Sequence, residues 1–254
     1  MTTPSPIALI TGGSRGLGRD MALQLAAQGT DVILTYRSRR DEATAVVTAI
    51  EAAGRRAVAL PLDVGDSASF DAFVTQVSDA LRTEWQREQF DYLVNNAGVG
   101  VYAPFAETNE AQFDLLMSVH LKGPLFLTQK LLTLIAHGGR ILNISSGLAR
   151  FAMPGFAVYA AMKGAIEVLT RYQAKELGAR GITVNVLAPG AIETDFGGGR
   201  VRDDANLNAV VAANTALGRA GVPEDIGAAV AALLGPGGRW INGQRIEASG
   251  GMFL

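Results

Sequence analysis

The sequence predicts one α/β domain, residues 1–254, in which helices cover both faces of a doubly wound, mostly parallel sheet of seven strands. Two observations predict this fold: short apolar runs alternate with amphipathic stretches along the whole chain, and no charged or Ser/Pro-rich linker interrupts them. A third is that small or polar residues follow five of the apolar runs. Because ligands bind beyond the carboxyl ends of the strands in such sheets, we expect the functional site there.

The predicted strands are short apolar runs, which suit strands that are buried on both faces. In chain order they span residues 7–10, 32–36, 57–60, 90–94, 140–144, 182–187 and 245–248.

The predicted helices lie between these strands, with Gly29 as a C-cap and Pro223 in a first helical turn. They span residues 21–27, 41–53, 67–82, 110–135 and 156–177, and a last helix begins at 223. Residues 191–222 are expected to form loops and short helices on the substrate side. Their three consecutive glycines, 197–199, suit either a mobile lid or a disordered loop.

Composition excludes several classes of function. The net charge is −2 and no charged block of either sign occurs, so neither nucleic acid nor an anionic membrane is expected as the main partner. The chain has no Cys, and its two His residues are far apart, so we expect no metal site. We find no signal peptide and no apolar run of about 18 residues, which predicts a cytoplasmic protein that does not span a membrane.

A glycine-rich turn, residues 11–18, connects the first predicted strand to the first helix. Its glycines have the spacing G-x-x-x-G-x-G. Glycines let the backbone approach a pyrophosphate, and the N-terminus of the following helix adds amide donors and a favourable dipole. The strand and helix on either side favour a dinucleotide-binding turn over a turn without a ligand. The cofactor-binding residues predicted in it are Gly12, Ser14, Arg15, Gly16, Leu17 and Gly18.

The residues after the second strand indicate which dinucleotide is bound. A fold that selects NAD places Asp or Glu there, on the ribose hydroxyls. This chain has Arg37 and Ser38 instead, and Arg15 approaches from the glycine-rich turn. Arg can bind a 2′-phosphate bidentately, whereas a carboxylate would repel it. The sequence therefore predicts NADP(H) rather than NAD(H), unless these arginines only form a solvated surface.

Tyr159 and Lys163 are four residues apart, so they share one face of a helix. A Lys ammonium near a Tyr hydroxyl is expected to lower the pKa of the Tyr, which then exchanges a proton with an alcohol or carbonyl oxygen. The hydroxyl of Ser146 can bind the same oxygen. Taken alone, these residues are equally typical of a surface pair and a helix cap.

The motifs taken together resemble the short-chain dehydrogenase/reductase family, and the resemblance runs from about residue 6 to the C-terminus. The nearest likeness is to β-ketoacyl-carrier-protein reductases and glucose-dehydrogenase-like members. The motifs that carry it are the turn at 11–18, Asp63, Asn95-Asn96-Ala97-Gly98, Ser146, Tyr159-x-x-x-Lys163, and Pro189-Gly190 with Thr194.

The resemblance implies a Rossmann-type fold and specific roles for the matching residues. Tyr159 would be the general acid or base, Lys163 would hold the nicotinamide ribose, and Ser146 would orient the substrate oxygen. Cofactor contacts are implied for Asp63 and Val64 at the adenine, for Asn95, Ala97 and Gly98 at the adenosine ribose, for Ile192 and Thr194 at the carboxamide, and for Pro189 and Gly190 beside them.

Two departures from the family pattern stand out. His120 replaces a catalytic Asn that holds a water near the active-site Lys. Four roles for His120 are open: it relays protons, it displaces that water, it blocks the path from the Lys to bulk solvent, or it is a neutral His whose hydrogen bonds are satisfied by backbone groups. Near the end of the chain, Ser249 stands where the family has a chiefly structural Asp.

We therefore expect an oxidoreductase that transfers a hydride between NADP(H) and a small secondary alcohol or ketone. The alternatives are an epimerase or dehydratase on the same fold, and a cofactor-binding regulator that has lost catalysis. The resemblance also implies a homotetramer or homodimer. Apolar residues expected to line the substrate cleft or to fill core are Phe151, Met153, Phe156, Phe196, Met252, Phe253 and Leu254.

Overall fold

The computed structural model describes residues 5–254. Residues 1–4, part of the segment in which we expect no signal peptide, lie outside this range. The described residues form one seven-stranded sheet. Its strands are β1 (Ile7–Ile10), β2 (Asp31–Tyr36), β3 (Ala57–Pro61), β4 (Phe90–Asn95), β5 (Ile135–Ile144), β6 (Thr183–Pro189) and β7 (Arg245–Ala248).

The strand order is β3-β2-β1-β4-β5-β6-β7, and every neighbouring pair is parallel. The predicted α/β, doubly wound class is confirmed, and the sheet is entirely rather than mostly parallel because every connection crosses over a face. The order reverses direction between β1 and β4. This switch point opens a crevice at the carboxyl ends of the central strands, where the predicted site residues lie.

Helices cover both faces of the sheet. They are α1 (Gly16–Ala27), α2 (Arg40–Ala52), α3 (Phe70–Trp85), α4 (Glu110–Met117), α5 (Gly123–Leu131), α6 (Ala157–Leu177), α7 (Arg200–Asp203), α8 (Ala205–Ala213) and α9 (Pro223–Leu234).

Each face of the sheet has its own apolar core. On one face, α1, α2 and α9 pack residues such as Met21 and Ile226 against the strands, and both side chains are fully buried. On the other face, α3 and α5 contribute Phe73 and Leu127. This two-sided burial explains why the central strands are continuous apolar runs rather than alternating ones.

The prediction of one continuous helix over 110–135 is wrong, because the structure interrupts this helix and ends it before residue 135. Helix α4 gives way to a π-helical turn, Ser118–Lys122, before α5 begins at Gly123. Pro124 explains the interruption, because it has no N–H and its ring would clash with the carbonyl of His120 in a regular α-helix. Ile135 belongs to β5, where it pairs with the fully buried Phe90.

The helix predicted over 67–82 also has different ends. It starts with a 3₁₀ turn, Ser67–Ser69, and α3 continues to Trp85. The extra turn is stabilised by burial of Trp85, whose indole N–H donates to the buried carboxylate of Asp31 at 2.9 Å.

Candidate active site

The glycine-rich turn lies at the carboxyl end of β1 and leads directly into α1. A Cβ atom at Gly18 would overlap the carbonyl oxygen of Gly12 across the turn, so only glycine allows this approach. The hydroxyl of Thr11 accepts from the backbone N–H groups of Asn96 and Ala97, both at 3.0 Å. The turn is thereby fixed to the end of β4, across the switch point.

The charged residues predicted to read the cofactor lie at the surface around this turn. Arg37 and Ser38 follow β2 and are exposed. Arg15 is half-exposed, and its guanidinium lies 3.9 Å from the carboxylate of Asp195. Asp63 is exposed beyond β3, where its carboxylate accepts from the N–H of Gly65 at 2.8 Å. The adjacent Val64 is buried.

The side chain of Asn95 is directed into the sheet rather than towards the crevice. Its amide donates to Thr128 at 3.0 Å and to Asn143 at 2.8 Å, and the residue is buried. The next residue, Asn96, instead donates to the carbonyl oxygens of Thr11 and Gly12. Sequence reasoning missed this contact, although an Asn pair at a strand end is a signal that one side chain serves the neighbouring turn.

The structure brings Ser146, Tyr159 and Lys163 together beyond the end of β5. The Ser146 hydroxyl lies close enough to Tyr159 to lower the pKa of its phenol, and it accepts a hydrogen bond from the backbone N–H of Leu148 at 3.2 Å. The Lys163 amine lies 5.5 Å from the centre of the Tyr159 ring and donates to the carbonyl oxygen of Ile144 at 2.7 Å. Tyr159 and Lys163 are both buried, so the simple surface pair is excluded.

Burial dominates the electrostatics of this cluster. It lowers the pKa of Lys163 from 10.5 to about 7. It also raises the pKa of Tyr159 above its ordinary value of 10, and the nearby Ser146 hydroxyl offsets only part of that rise. The expectation that Lys163 lowers the Tyr159 pKa is therefore wrong for the protein alone, because desolvation of the phenolate outweighs every favourable contact.

His120 lies in the π-helical turn, behind Tyr159. The two rings meet edge to face with their centres 5.1 Å apart. The Nε2 atom of His120 lies 2.7 Å from the carbonyl oxygen of Val99, to which it donates in the neutral form. Its Nδ1 atom has no hydrogen-bond partner among residues 5–254. Burial and the nearby Lys163 lower the pKa of His120 to about 3, so the ring is neutral near pH 7.

An aromatic rim lies near Tyr159 and consists of Phe196, Phe156 and Tyr102. Phe196 lies over Tyr159 with ring centres 5.7 Å apart, and it is followed by glycines 197–199, all with left-handed φ between 63° and 80°. Tyr102 meets Phe156 edge to face at 5.6 Å and covers Gly155. Sequence reasoning missed Tyr102, because nothing in its local pattern distinguishes it from a surface residue.

The remaining predicted residues border this rim. Pro189 and Gly190 end β6, and Gly190 lies directly against Ser249. Ile192 pairs with Gly221 in an isolated β-bridge, and Thr194 is buried beside Gly16. Gly98 contacts the His120 ring.

Among the apolar candidates, Phe151 and Phe253 pack on each other with ring centres 4.8 Å apart. Met252 is buried, Met153 is partly buried, and Leu254 is exposed.

The part of the chain that the structure describes has neither a metal-binding cluster nor a helix suited to span a membrane. It holds no cluster of three His, Cys, Asp or Glu side chains suited to a metal ion. None of its helices combines the length and apolar character needed to cross a bilayer.

A glycine-rich turn at the switch point of a parallel sheet, beside a Ser–Tyr hydroxyl pair and a buried Lys, defines a dinucleotide-dependent oxidoreductase. Residues 12–253 match the family model described as enoyl-(acyl carrier protein) reductase. The chain belongs to the short-chain dehydrogenase/reductase family.

Relatives of the chain include a hydroxynaphthalene reductase and enzymes that reduce ketones. A hydroxynaphthalene reductase of Aspergillus fumigatus is 33% identical over 94% of this chain and 89% of its own length. The structure of LugOII, a promiscuous reductase that catalyses keto-reduction at C1 during lugdunomycin biosynthesis, superposes with a TM-score of 0.93 at 36% identity over 99% of both chains. The angucycline C-6 ketoreductase LanV, with NADP bound, gives a TM-score of 0.93 at 34% identity over 98% of this chain and 95% of its own.

Proposed function

We propose that this protein is an NADP(H)-dependent ketone reductase in which Tyr159 is the general acid, and the general base in the reverse direction. The observation that carries the proposal is the convergence of Ser146, Tyr159 and Lys163 beyond β5, where the Ser146 hydroxyl neighbours the Tyr159 phenol and the Lys163 amine lies 5.5 Å from the centre of the Tyr159 ring. A carbonyl oxygen placed beside that pair would accept a hydrogen bond from each hydroxyl. Positioned donors of this kind stabilise charge that develops on the oxygen.

The glycine-rich turn fits the pyrophosphate of a dinucleotide. The backbone approaches closely between Gly12 and Gly18, and the side chain of the N-cap residue Arg15 does not cap the amides at the start of α1. The exposed guanidinium groups of Arg15 and Arg37 suit a 2′-phosphate, which supports NADP(H) over NAD(H). The NADP in the LanV structure is consistent with this choice. When bound, the cofactor supplies the hydride.

The raised pKa of Tyr159 leaves its hydroxyl protonated at neutral pH, which is the form that a general acid needs. The hydroxyl can therefore give this proton to the substrate oxygen. The resulting phenolate lies near the amine of Lys163, whose pKa of about 7 leaves it partly charged at that pH. The Lys ammonium would then stabilise the phenolate after proton transfer rather than before it.

His120 is assigned a structural role in this proposal. Its ring closes the space between Gly98 and Tyr159, and its neutral Nε2–H donates to Val99. A pKa of about 3 argues against a proton relay that gains and loses charge near pH 7.

The substrate class follows from the rim. Phe196 packs on the Tyr159 ring, Phe156 lines a cavity together with Tyr159, and Tyr102 packs on Phe156. Flat apolar faces of this kind suit a fused-ring aromatic ketone better than a flexible acyl chain. The similarity to the angucycline ketoreductase LanV and to the hydroxynaphthalene reductase supports this substrate class.

The test is a panel of fused-ring and aliphatic ketones, with NADPH consumption followed by absorbance. We expect fused-ring ketones to be reduced with higher kcat/KM than aliphatic ketones of similar polarity. No turnover of any ketone, with NADPH binding intact, would refute the reductase and leave the cofactor-binding regulator. Faster turnover of aliphatic ketones would refute only the substrate class.

We also infer a homodimer or homotetramer. Large apolar side chains are exposed on α4, α5 and α6, which is costly for a monomer. They are Phe113, Leu115, Phe126, Val168 and Tyr172. Light scattering coupled to size-exclusion chromatography tests the inference, and a monomer at micromolar concentration would contradict it.

A further inference from the structure

A network of ion pairs lies beside residues 145–151, here called the Ser146 segment, and extends to residues 249–254, the C-terminal tail. At its centre, Glu247 in β7 accepts two parallel hydrogen bonds from Arg150, at 2.7 and 2.8 Å. Arg245 donates to the same carboxylate at 2.7 Å and to Glu167 of α6 at 2.8 Å. The side chain of Glu247 is only 18% exposed, so its charge is poorly solvated and depends on both guanidinium groups.

One arm of this network holds the residue before Ser146. The hydroxyl of Ser145 donates to Glu167 at 2.7 Å and is buried. Arg245, which is bonded to the same carboxylate, reaches the carbonyl oxygen of Ser146 at 3.5 Å. The Ser145 side chain is therefore linked to α6, and the Ser146 carbonyl is linked to β7.

The other arm holds the C-terminal tail. Arg150 donates to the carbonyl oxygens of Met252 at 2.7 Å and Phe253 at 3.1 Å. The hydroxyl of Ser249 donates to Glu247 at 2.8 Å. Residue 249 is a Ser rather than the Asp of the family pattern. The carboxylate of Glu247, two residues before it, is the group that bonds the start of the tail here.

The held tail contacts the Ser146 segment from the opposite side. The ring of Phe253 packs on Phe151, and the ring of Phe151 fills the space beside Gly147, where a Cβ would lie 2.8 Å from it. The neighbouring Met252 is buried in a cluster with Val211 of α8, so the same tail supports the substrate-side helices.

We propose that Glu247 is a positioning residue, which clamps the tail through Arg150 and the Ser146 carbonyl through Arg245, so that the Ser146 hydroxyl stays beside Tyr159. The kinetic part of this proposal rests on the proposed reductase function. The structural part does not, because the clamp can be observed without turnover.

The variant Glu247→Gln keeps the shape of the side chain and removes its charge. Its matched control is Glu88→Gln, which removes a carboxylate from an exposed ion pair with Arg82 at 3.1 Å. Hydrogen–deuterium exchange is measured on both proteins and on the wild type. We expect exchange in peptides covering 145–152 and 249–254 to become about tenfold faster in Glu247→Gln only. Unchanged exchange in 145–152 overturns the proposal, whether or not a ketone substrate has been found.

A double-mutant cycle with Ser146→Ala separates positioning from general stabilisation. If Glu247 acts through Ser146, Glu247→Gln lowers kcat about tenfold in the wild type and less than about twofold in the Ser146→Ala background. The dissociation constant for NADPH stays unchanged. Equal losses in both backgrounds would show that Glu247 supports the fold without positioning Ser146. Absence of ketone turnover in the wild type refutes the reductase, and the exchange experiment then decides on the clamp.

Discussion

At the carboxyl ends of β1 and β2, the groups that face the crevice are backbone amides and exposed guanidinium groups. At the ends of β4 and β5, polar side chains are instead buried and bond within the protein, such as Asn95 with Asn143, and Lys163 with the Ile144 carbonyl. The first region keeps side chains out, as at Gly18, and leaves its charges in water. The second region holds polar groups away from water and shifts their pKa values.

This difference separates two tasks. A binding surface needs space and solvated charge, so it should be sensitive to added atoms and to the sign of charge. A catalytic cluster needs groups whose protonation differs from that in water, so it should be sensitive to the loss of single atoms. Each of the following substitutions tests one side of this comparison.

The largest effect is expected for Tyr159→Phe, which removes one oxygen from the buried cluster. We predict a loss of kcat of about 10³-fold, because a positioned general acid contributes roughly 10²–10⁴-fold. NADPH affinity, measured by fluorescence titration, should stay the same. The control is Tyr172→Phe on the same helix, where the side chain is 64% exposed. Comparable activity in the two variants would remove Tyr159 from the chemistry.

Gly18→Ala tests the opposite region by adding one atom. The new Cβ overlaps the Gly12 carbonyl, so we predict a loss of about 1–3 kcal/mol of stability and at least about tenfold weaker NADPH binding. Gly164→Ala in α6 is the control, because its Cβ would meet nothing within 4 Å. That change should stabilise the helix by about 0.5–1 kcal/mol. Urea unfolding and NADPH titration measure both, and tight NADPH binding by Gly18→Ala would contradict the proposed phosphate turn.

Arg37→Asp tests the charge of the binding region. A lost charge-assisted hydrogen bond of about 1.5–3 kcal/mol predicts about 10–100-fold weaker NADPH binding, while NADH binding changes little. Arg82→Asp, at the remote ion pair with Glu88, controls for the altered net charge. Equal weakening of NADPH and NADH would show that Arg37 does not contact the 2′-phosphate.

The smallest kinetic effect is expected for His120→Asn. With a pKa of about 3, His120 does not titrate between about pH 5 and 8, so the pH profile of kcat/KM should keep its shape. The exposed His137 provides the control variant His137→Asn. A limb near pH 6.5 that disappears only in His120→Asn would restore the proton relay.

His120 should instead be detectable in acid stability. Its folded pKa lies below the unfolded value of 6.5, so the unfolded chain binds the extra proton between about pH 6.5 and 3. The stability is fully present above pH 6.5 and decreases as the pH falls through this window. Urea unfolding from pH 7 to 5 should show a smaller decrease for His120→Asn than for the wild type. An identical decrease would mean that His120 is not buried in its neutral form.

The sequence was sufficient for the features that depend on local spacing. The glycine spacing, the four-residue step from Tyr159 to Lys163, and the polar strand ends determine which groups meet once the parallel sheet forms. Cooperation between Ser146 and Tyr159 was predictable for the same reason.

Features that depend on burial and distant pairing were not predictable. The raised pKa of Tyr159 comes from desolvation by the surrounding fold, which no local pattern reports. The π-helical turn at His120 had a signal in Pro124, which sequence reasoning passed over. The Glu247 network joins residues 97 positions apart, so its partners are known only when β7 lies beside the Ser146 segment.

Hydride transfer is tested most directly by following a deuterium atom. The wild type is incubated with a fused-ring ketone and NADPH that carries deuterium at the transferable position of the nicotinamide, and the product is analysed by mass spectrometry. We predict an alcohol with one deuterium on the carbinol carbon. The Tyr172→Phe variant should form it at the wild-type rate, and the Tyr159→Phe variant about 10³-fold more slowly. An unlabelled alcohol, or full activity in Tyr159→Phe, would contradict this prediction.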